Sequence, residues 1–370
     1  MVYVVVLSYH APADLQRCLT SVLATQYPAA RWRVVVVDND AQPETQAVLR
    51  TYGDRLDVVV EPVNRGYAGG MNVGIRHALT RGAEYVVVLN QDTTVDPHWL
   101  ARLVAAAESD PRIAAAQARV MLGADTDTVN SIGNHIHVFG FGFAGGHREP
   151  WHILRTQLSG YPYPEVTYPS GAAVLFRATA LRAVGFPCAT HRGVAAQGME
   201  ALEFFDEDFF LYHEDLDLGV RFWLQGWRCV LVPQAVVQHY YEFTRSMTKL
   251  HWIERNRILF LLENLRWRTI VLLAPAMLVA ESVHAILALR GGWWNAKKQA
   301  WRAIGTRAHW GMFRAHRAAK QSRRTMRDRD IVCRWTTSIR NQEMPNRFME
   351  RVGDPLVRCW WRVVRPMIRW

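Results

Sequence analysis

The chain has 370 residues, half of them apolar, enough for one large domain with a full core and an appendage. Its five cysteines, Cys18, Cys188, Cys229, Cys333 and Cys359, are odd in number, scattered and without a CxxC pair, which argues against a disulfide framework or a cysteine zinc site and fits a reducing compartment. The net charge of +11 conceals an asymmetry: about −7 over residues 1–244 against about +18 over 245–370, a stretch that also holds about two-thirds of the tryptophans.

The opening MVYVVVLSYH is apolar from Val2 to Leu7 with no basic region before it, so it is expected to form a first strand rather than a secretion signal. Ala13–Ala24 has helical spacing. Val34–Val37 is a β-branched run that ends in the acid of VVVVDND. The glycine-rich turn NRGYAGGMNVG leads into a helical Val73–Thr80, and Tyr85–Leu89 is a strand running into NQDTTVD. Buried strands that each deliver polar groups at their C-terminal ends describe a sheet with a ligand crevice along one edge. Pro97 marks the first turn of a helix over Asp96–Ala107, Gly123–Gly146 and YPYPEVTYPSG predict irregular structure over an open site, and Ala172–Phe176 returns as a strand. FFLYHEDLDLGVR then sets Glu214, Asp215 and Asp217 at a helix start beside aromatics, a costly place for carboxylates without a function.

The ordered series VVVLSYH, CLTSVLATQYP, VVVVDN, NRGYAGGMNVGI, GAEYVVVLNQDTTVDPHWL, SGAAVLFRATALRAVG, FFDEDFFLYHEDLDLGVRFWLQGW and VPQAVVQH resembles glycosyltransferase family 2, and within it the rhamnosyltransferase-like branch. The resemblance spans about Val2 to Asn264 and implies a GT-A α/β fold with a Rossmann-like mixed sheet, on a catalytic domain at 1–245 followed by a helical extension at 246–370. It implies an inverting, metal-dependent transfer of a sugar, L-rhamnose from dTDP-rhamnose being the favoured donor, from a nucleotide diphosphate to a glycan or polyprenyl-diphosphate-linked acceptor in cell-surface polysaccharide synthesis.

Such a reaction must bind a nucleotide diphosphate, neutralise it as it leaves and deprotonate an acceptor hydroxyl. Ser8, Tyr9, Asp38 and Asn39 end strands and are assigned to base and ribose, the resemblance giving Asp38 the ring N–H of uracil or thymine. Asn64, Arg65, Gly66 and Asn72 shape the phosphate side, where a helix N-terminus offers positive potential; a plain tight turn is the competing explanation. Gln91 and Asp92 follow the third strand. Asp92 is the expected ligand of Mg²⁺ or Mn²⁺, although Thr94 departs from a DXD pattern and a hydrogen bond to the ribose is the alternative; the resemblance makes His239 in VVQHYYEF the second ligand, a structural histidine being the other reading. The resemblance assigns the catalytic base to Asp215, with Glu214 orienting the acceptor or a neighbouring cation and Asp217 a helix-dipole or structural acid; a solvated helix start favoured by the macrodipole is the competing explanation. Residues 186–203 form a longer link than the resemblance leads one to expect and bear on the acceptor pocket.

In the extension, Thr269–Leu289 is nearly long enough to span a bilayer but contains Pro275, Glu281 and His284, which favours an in-plane or re-entrant helix. Trp293, Trp294, Trp301 and Trp310 then alternate with Lys297, Lys298, Arg302, Arg307, Arg314 and Arg317, the composition of a monotopic membrane segment over residues 266–320. That places the protein in the cytoplasm, peripheral on the inner face of the membrane. Packing of a helical subdomain or a homo-oligomer interface is the alternative. Nucleic acid is not expected, since no nucleic-acid module accompanies the basic residues. Two rival functions stay open at this point: a sugar nucleotidyltransferase, which would release diphosphate from a triphosphate, and a non-catalytic nucleotide-sugar-binding scaffold.

Overall fold

A computed structural model describes residues 1–158, 160–187, 202–240, 249–339 and 349–370. The strands are β1 (Val2–Ser8), β2 (Trp32–Asn39), β3 (Asp57–Glu61), β4 (Tyr85–Asn90), β5 (Thr93–Val95), β6 (Ile113–Leu122), β7 (Val129–Ser131), β8 (Asn134–Ile136), β9 (Gly142–Ala144), β10 (Ala173–Arg177), β11 (Phe186–Pro187), β12 (Leu202–Glu203) and β13 (Arg228–His239). The helices are α1 (Pro12–Leu23), α2 (Pro43–Arg50), α3 (Gly66–Thr80), α4 (Trp99–Ser109), α5 (Trp151–Gln157), α6 (Ala178–Val184), α7 (Glu214–Leu224), α8 (Leu250–Asn264), α9 (Trp267–Arg290), α10 (Trp294–Ile304), α11 (Arg307–Ser322), α12 (Asp328–Val332) and α13 (Asp354–Val364).

The main sheet runs β3-β2-β1-β4-β10-β6-β13-β5, with β7 on β6. β1 is parallel to β2 and β4, β10 is antiparallel between β4 and β6, and the short β5 is antiparallel to the end of β13. This is the mixed sheet that the resemblance leads one to expect. Every residue of β1 is buried because both faces are covered. Tyr3, Val5 and Leu7 join the core under α3, α6 and α7, while Val2, Val4 and Val6 join the core under α1 and α4. The first core lets α3 come very close to the sheet. A Cβ on Gly74 would lie 2.2 Å from Val5, so only glycine fits.

Two expectations are refined. The helix begun by Pro97 starts at Trp99, and Gly123–Gly146 contains β7 and the β8–β9 pair rather than only irregular chain. β11 and β12 pair at the base of the long 186–203 link, whose residues 188–201 lie outside the described residues.

From residue 249 on, the described chain packs back against the sheet. Helix α8 is polar on all sides yet largely buried, a pattern sustained only by partners for each group. Lys320 of α11 reaches three carboxylates, Asp206 at 2.6 Å, Asp217 at 2.9 Å and Glu263 at 2.5 Å, all fully buried. Asp217 is thus the structural acid expected, further held by Arg221 at 2.7 Å and Asn264 at 2.7 Å.

Candidate active site

The crevice forms where β1, β2 and β4 end together. Ser8 stands in register with Asp38, and Leu7 with Asn90. Tyr9 and Gln91 clasp the two strand ends: the Tyr9 N–H donates to Gln91 Oε1 at 3.0 Å, and Gln91 Nε2 donates to the Tyr9 carbonyl at 2.7 Å. Asp38 is buried and accepts from Gln46 Nε2, and burial raises its pKa above the usual carboxylate value. Ser8 Oγ is buried with no hydrogen-bond partner among the described residues.

On the glycine-rich side, Asn39 works mainly as a clamp. It accepts from the Arg65 N–H at 2.8 Å and donates to Asn64 Oδ1 at 3.2 Å and to the Gly66 carbonyl at 3.1 Å. Asn64 accepts from the Gly66 N–H at 2.8 Å. Gly66 has φ +69°, and a Cβ there would meet the Phe210 carbonyl oxygen at 2.3 Å, so glycine alone lets this loop lie against the 207–213 segment. Arg65 turns toward Glu207 at 3.1 Å and Glu61 at 3.5 Å; burial opposes its charge, and those two acids outweigh it. Asn72 is fully buried and accepts from the N–H groups of Phe204 and Phe205 while donating to the Phe205 carbonyl and Glu207. Its bearing on a nucleotide passes through the loop it holds.

The antiparallel pairing of β5 with β13 sets His239 opposite Thr93 and brings Asp92 alongside: His239 Nε2 lies 3.2 Å from Asp92 Oδ1. The other ring nitrogen, Nδ1, lies 3.0 Å from Asn130 Oδ1. Asn90 Nδ2 lies 3.5 Å from Nε2, so with an N–H at Nδ1 donating to that oxygen the Nε2 lone pair faces the Asn90 amide and the Asp92 carboxylate, an orientation that a metal-ligating imidazole also uses. Two ligands at about 2.1 Å from one ion and at right angles stand about 3 Å apart, so the pair fits a divalent ion. A second donor group, Glu203, Asp206 and His316, also converges, but the Lys320 ammonium occupies the cation's place there.

Asp215 and Glu214 open α7 across from that pair. The segment 170–172 links them: Asn90 N–H donates to the Ala172 carbonyl at 3.0 Å, Gly171 N–H donates to Asp215 Oδ2 at 3.1 Å, and the Tyr67 hydroxyl donates to the Gly171 carbonyl at 2.6 Å. Burial, then the charges of Glu214, Asp215 and Asp92, pushes the Tyr67 hydroxyl well above its usual pKa. Burial lifts Asp215 to about 6, against the backbone N–H groups that hold its charge. Burial and then Asp215 push Glu214 well above the carboxylate range, and Glu214 Oε2 has no partner. The site therefore presents a carboxylate lifted to about 6, a neighbouring carboxyl whose pKa burial and that carboxylate raise, and the Asp92–His239 pair, whose acid acts with the other two on the Tyr67 hydroxyl.

Sequence reasoning missed Asn256. The turn before α7 has left-handed backbone at Phe210, Tyr212 and His213, with φ of 59°, 68° and 71°. Such angles are costly outside glycine and need outside support. Asn256 of α8 supplies it, its amide donating to the carbonyls of Phe209, Leu211 and Tyr212 at 2.8, 3.0 and 2.8 Å, while Arg255 binds Asp208 and His213 Nε2 faces the Gly140 carbonyl at 3.1 Å. The only trace in sequence is a helix with no apolar stripe. Asn256→Ala leaves those carbonyls unpaired and should lower stability by about 1–3 kcal/mol. In steady-state kinetics it should reduce kcat about tenfold or more with the donor KM little changed. Equal kcat would show that the turn holds itself.

Residues 3–185 match the family model described as Glycosyl transferase family 2. Over 352 residues the chain is 27% identical to the N-acetylglucosaminyl-diphospho-decaprenol L-rhamnosyltransferase of Mycobacterium tuberculosis H37Rv, a match that covers 89% of this chain and 96% of that protein. A shorter match, 28% identical over 104 residues, joins 27% of this chain to glycosyltransferase AglE of Haloferax volcanii, of which it spans about a third (33%). Among solved structures, residues 1–349 of TarS from S. aureus superpose with a TM-score of 0.50 at 15% identity, over 87% of this chain and 88% of that one. At that identity the likeness is one of fold.

Proposed function

Because residues 3–185 belong to glycosyl transferase family 2 and the chain is a glycosyltransferase, we propose that it moves L-rhamnose from dTDP-L-rhamnose, with inversion, onto a saccharide carried by a polyprenyl diphosphate in cell-surface polysaccharide synthesis. The observation that carries the inverting chemistry is Asp215, lifted to about 6 and oriented by two backbone N–H groups at 3.1 and 2.7 Å. The preference for rhamnose and a lipid-linked acceptor rests on the mycobacterial relative, matched over nearly its whole length.

Asp38 and Ser8 receive the base and ribose, the orphaned Ser8 hydroxyl gaining the partner it lacks. The N-terminal end of α3 and its glycine loop face the diphosphate. Asp92 and His239 hold Mg²⁺ or Mn²⁺, which when bound offsets the charge growing on the leaving diphosphate. Asp215 accepts the proton of the acceptor hydroxyl as its oxygen bonds to the anomeric carbon and the bond to the dTDP oxygen breaks on the opposite face. Glu214, beside it, orients the acceptor or a neighbouring cation.

A base must be ionised to act, so kcat/KM should rise with pH through about 6 and level off above it. A profile flat through that range contradicts the assignment. The direct test incubates the protein and divalent ion with labelled dTDP-L-rhamnose and an N-acetylglucosaminyl-diphosphoryl polyprenol. Label should enter the lipid extract; release of diphosphate from a nucleoside triphosphate, or binding with no turnover, would instead favour one of the rival readings.

A lipid-linked acceptor asks for a membrane-facing surface. Helix α9 is long and apolar enough to cross a bilayer, but its inward face is docked on the protein: Thr269 and Leu273 are fully buried, and Glu281 pairs with Arg257 and Lys297 at 2.6 Å each. Its outward face carries Val271, Leu278, Val279, Ile286 and Leu289, each half or more exposed, as one apolar stripe. A helix fastened along one face and bare along the other lies in the membrane plane. Lys297 and Arg317, expected among the headgroup contacts, point inward instead, Lys297 because Glu254 and Glu281 need its charge and Arg317 to donate to carbonyls at the end of α8. Val271→Glu with Leu278→Glu should cut partition into vesicles about 100-fold, by flotation, with the fold intact. Unchanged partition would exclude α9 as the contact.

A further inference from the structure

Between the start of α9 and the middle of α11 lies an open cleft of about 580 Å³. Arg266, Arg314 and Arg317 line it together with Trp267, Trp310 and Phe313, and no acid does among the described residues. The three guanidinium groups differ in their ties. Arg317 forms the floor: it donates to the carbonyls of Leu262 and Leu265 and lies 4.1 Å over the Trp267 ring, which fixes both side chains. Arg314 is exposed and has no ion pair among the described residues, and the same holds for the Arg266 side chain, whose backbone N–H alone is engaged, by Asp328. Trp267 and Trp310 are 53% and 40% exposed, so indole surface rims the positive charge.

With Arg317 held behind them, Arg266 and Arg314 bring like charges to one concavity, and a phosphate relieves their repulsion while accepting N–H bonds from the Arg266 and Arg314 forks. The cleft also opens at the N-terminal end of a 24-residue helix whose outer stripe is apolar. A ligand that joins a phosphate to hydrocarbon meets both surfaces at once, and indoles sit well at that boundary.

We propose that this cleft binds the phosphate headgroup of an anionic membrane lipid, whose acyl chains run along the exposed stripe of α9. The assignment rests on the membrane reading above and adds a site to it. Bound there, a headgroup fixes the depth and the rotation of α9 at the bilayer, and with them the aim of the catalytic crevice.

The experiment compares the full chain with an Arg266→Gln, Arg314→Gln double variant. Both residues are exposed, and circular dichroism verifies that the fold is kept. Vesicles of phosphatidylcholine, alone or mixed with phosphatidylglycerol, are used for flotation, and indole emission is followed during addition of the same vesicles, of dihexanoyl phosphatidylglycerol below its micelle concentration, or of inorganic phosphate. The wild type should prefer the phosphatidylglycerol mixture, and the variant should lose roughly ten- to thirtyfold of that partition while binding neutral vesicles as before. The emission change should be lost in the variant too. An undiminished preference in the variant overturns the proposal. So does a full emission response to inorganic phosphate with release from vesicles, which would make the cleft a site for a free ion. If the wild type binds no vesicle, the membrane reading fails, and the dihexanoyl lipid decides the cleft by itself: a response lost in the variant upholds the headgroup site, and no response overturns it.

Discussion

Asp215→Asn should lower kcat by about 10³-fold and leave the affinity for the nucleotide-sugar donor close to wild type. The change is nearly isosteric: Leu216 N–H donates to Oδ1 and Gly171 N–H to Oδ2, so the single amide oxygen keeps one of these two bonds, and the start of α7 is still held through the Asp217–Arg221 pair. What is lost is the lone pair that takes the acceptor proton. Glu214 is a poor substitute, because its burial opposes the charged form that a base needs. Two readouts separate this from a structural failure. Donor binding by calorimetry should persist, and the pH dependence of the residual rate should lose its rise near 6. A variant that turns over at the wild-type rate would remove Asp215 from the mechanism.

Lys320→Met should destabilise the fold by about 3–5 kcal/mol at neutral pH, measured by chemical denaturation. The ammonium is fully buried against Asp206, Asp217 and Glu263, with His316 3.1 Å from Asp206 and Arg221 2.7 Å from Asp217. Burial already pushes Glu263 up to about 8 and Glu203 up to about 7, so the cluster has little capacity for another uncompensated charge. Without Lys320 the folded-state pKa values of the remaining acids rise above their unfolded values, so folding takes up protons. The deficit should therefore shrink as pH falls and widen as it rises. Stability within about 1 kcal/mol of wild type at neutral pH would show the cluster to be neutralised some other way. Activity should fall as well, since Asp217 lies one turn into the helix that carries Asp215. The same contacts make truncation after Leu265 a poor test of membrane attachment, because it would strip Lys320 from the sheet domain.

The strand ends and the carboxylates of α7 were legible in the sequence because local rules govern them. A β-branched run that stops at Ser8, Asp38 or Asn90 announces a sheet edge, and an acid pair beside aromatics announces a special environment. The pairing of Asp92 with His239 followed only from motif order, since 147 positions of chain separate them until β5 folds against β13. Asn256 could not be found that way. Its three acceptors exist only after the Phe209–Tyr212 carbonyls turn toward α8, and no spacing in the sequence encodes that. The basic tail misled in part for a related reason. Lys297 and Arg302 look alike in a helical stretch, but Lys297 is fully buried between two glutamates from other helices. Charge counts show how much positive charge a segment has, and tertiary contacts decide which of it faces outward.

The most direct measurement is a panel of dTDP-, UDP- and GDP-linked sugars incubated with the purified protein, with and without Mn²⁺ or Mg²⁺, scoring binding and slow hydrolysis to nucleoside diphosphate. The account predicts that dTDP-L-rhamnose binds most tightly and is cleaved only with a divalent ion. Failure of any nucleotide sugar to bind would contradict it and leave the crevice from Asp38 to His239 without its proposed ligand.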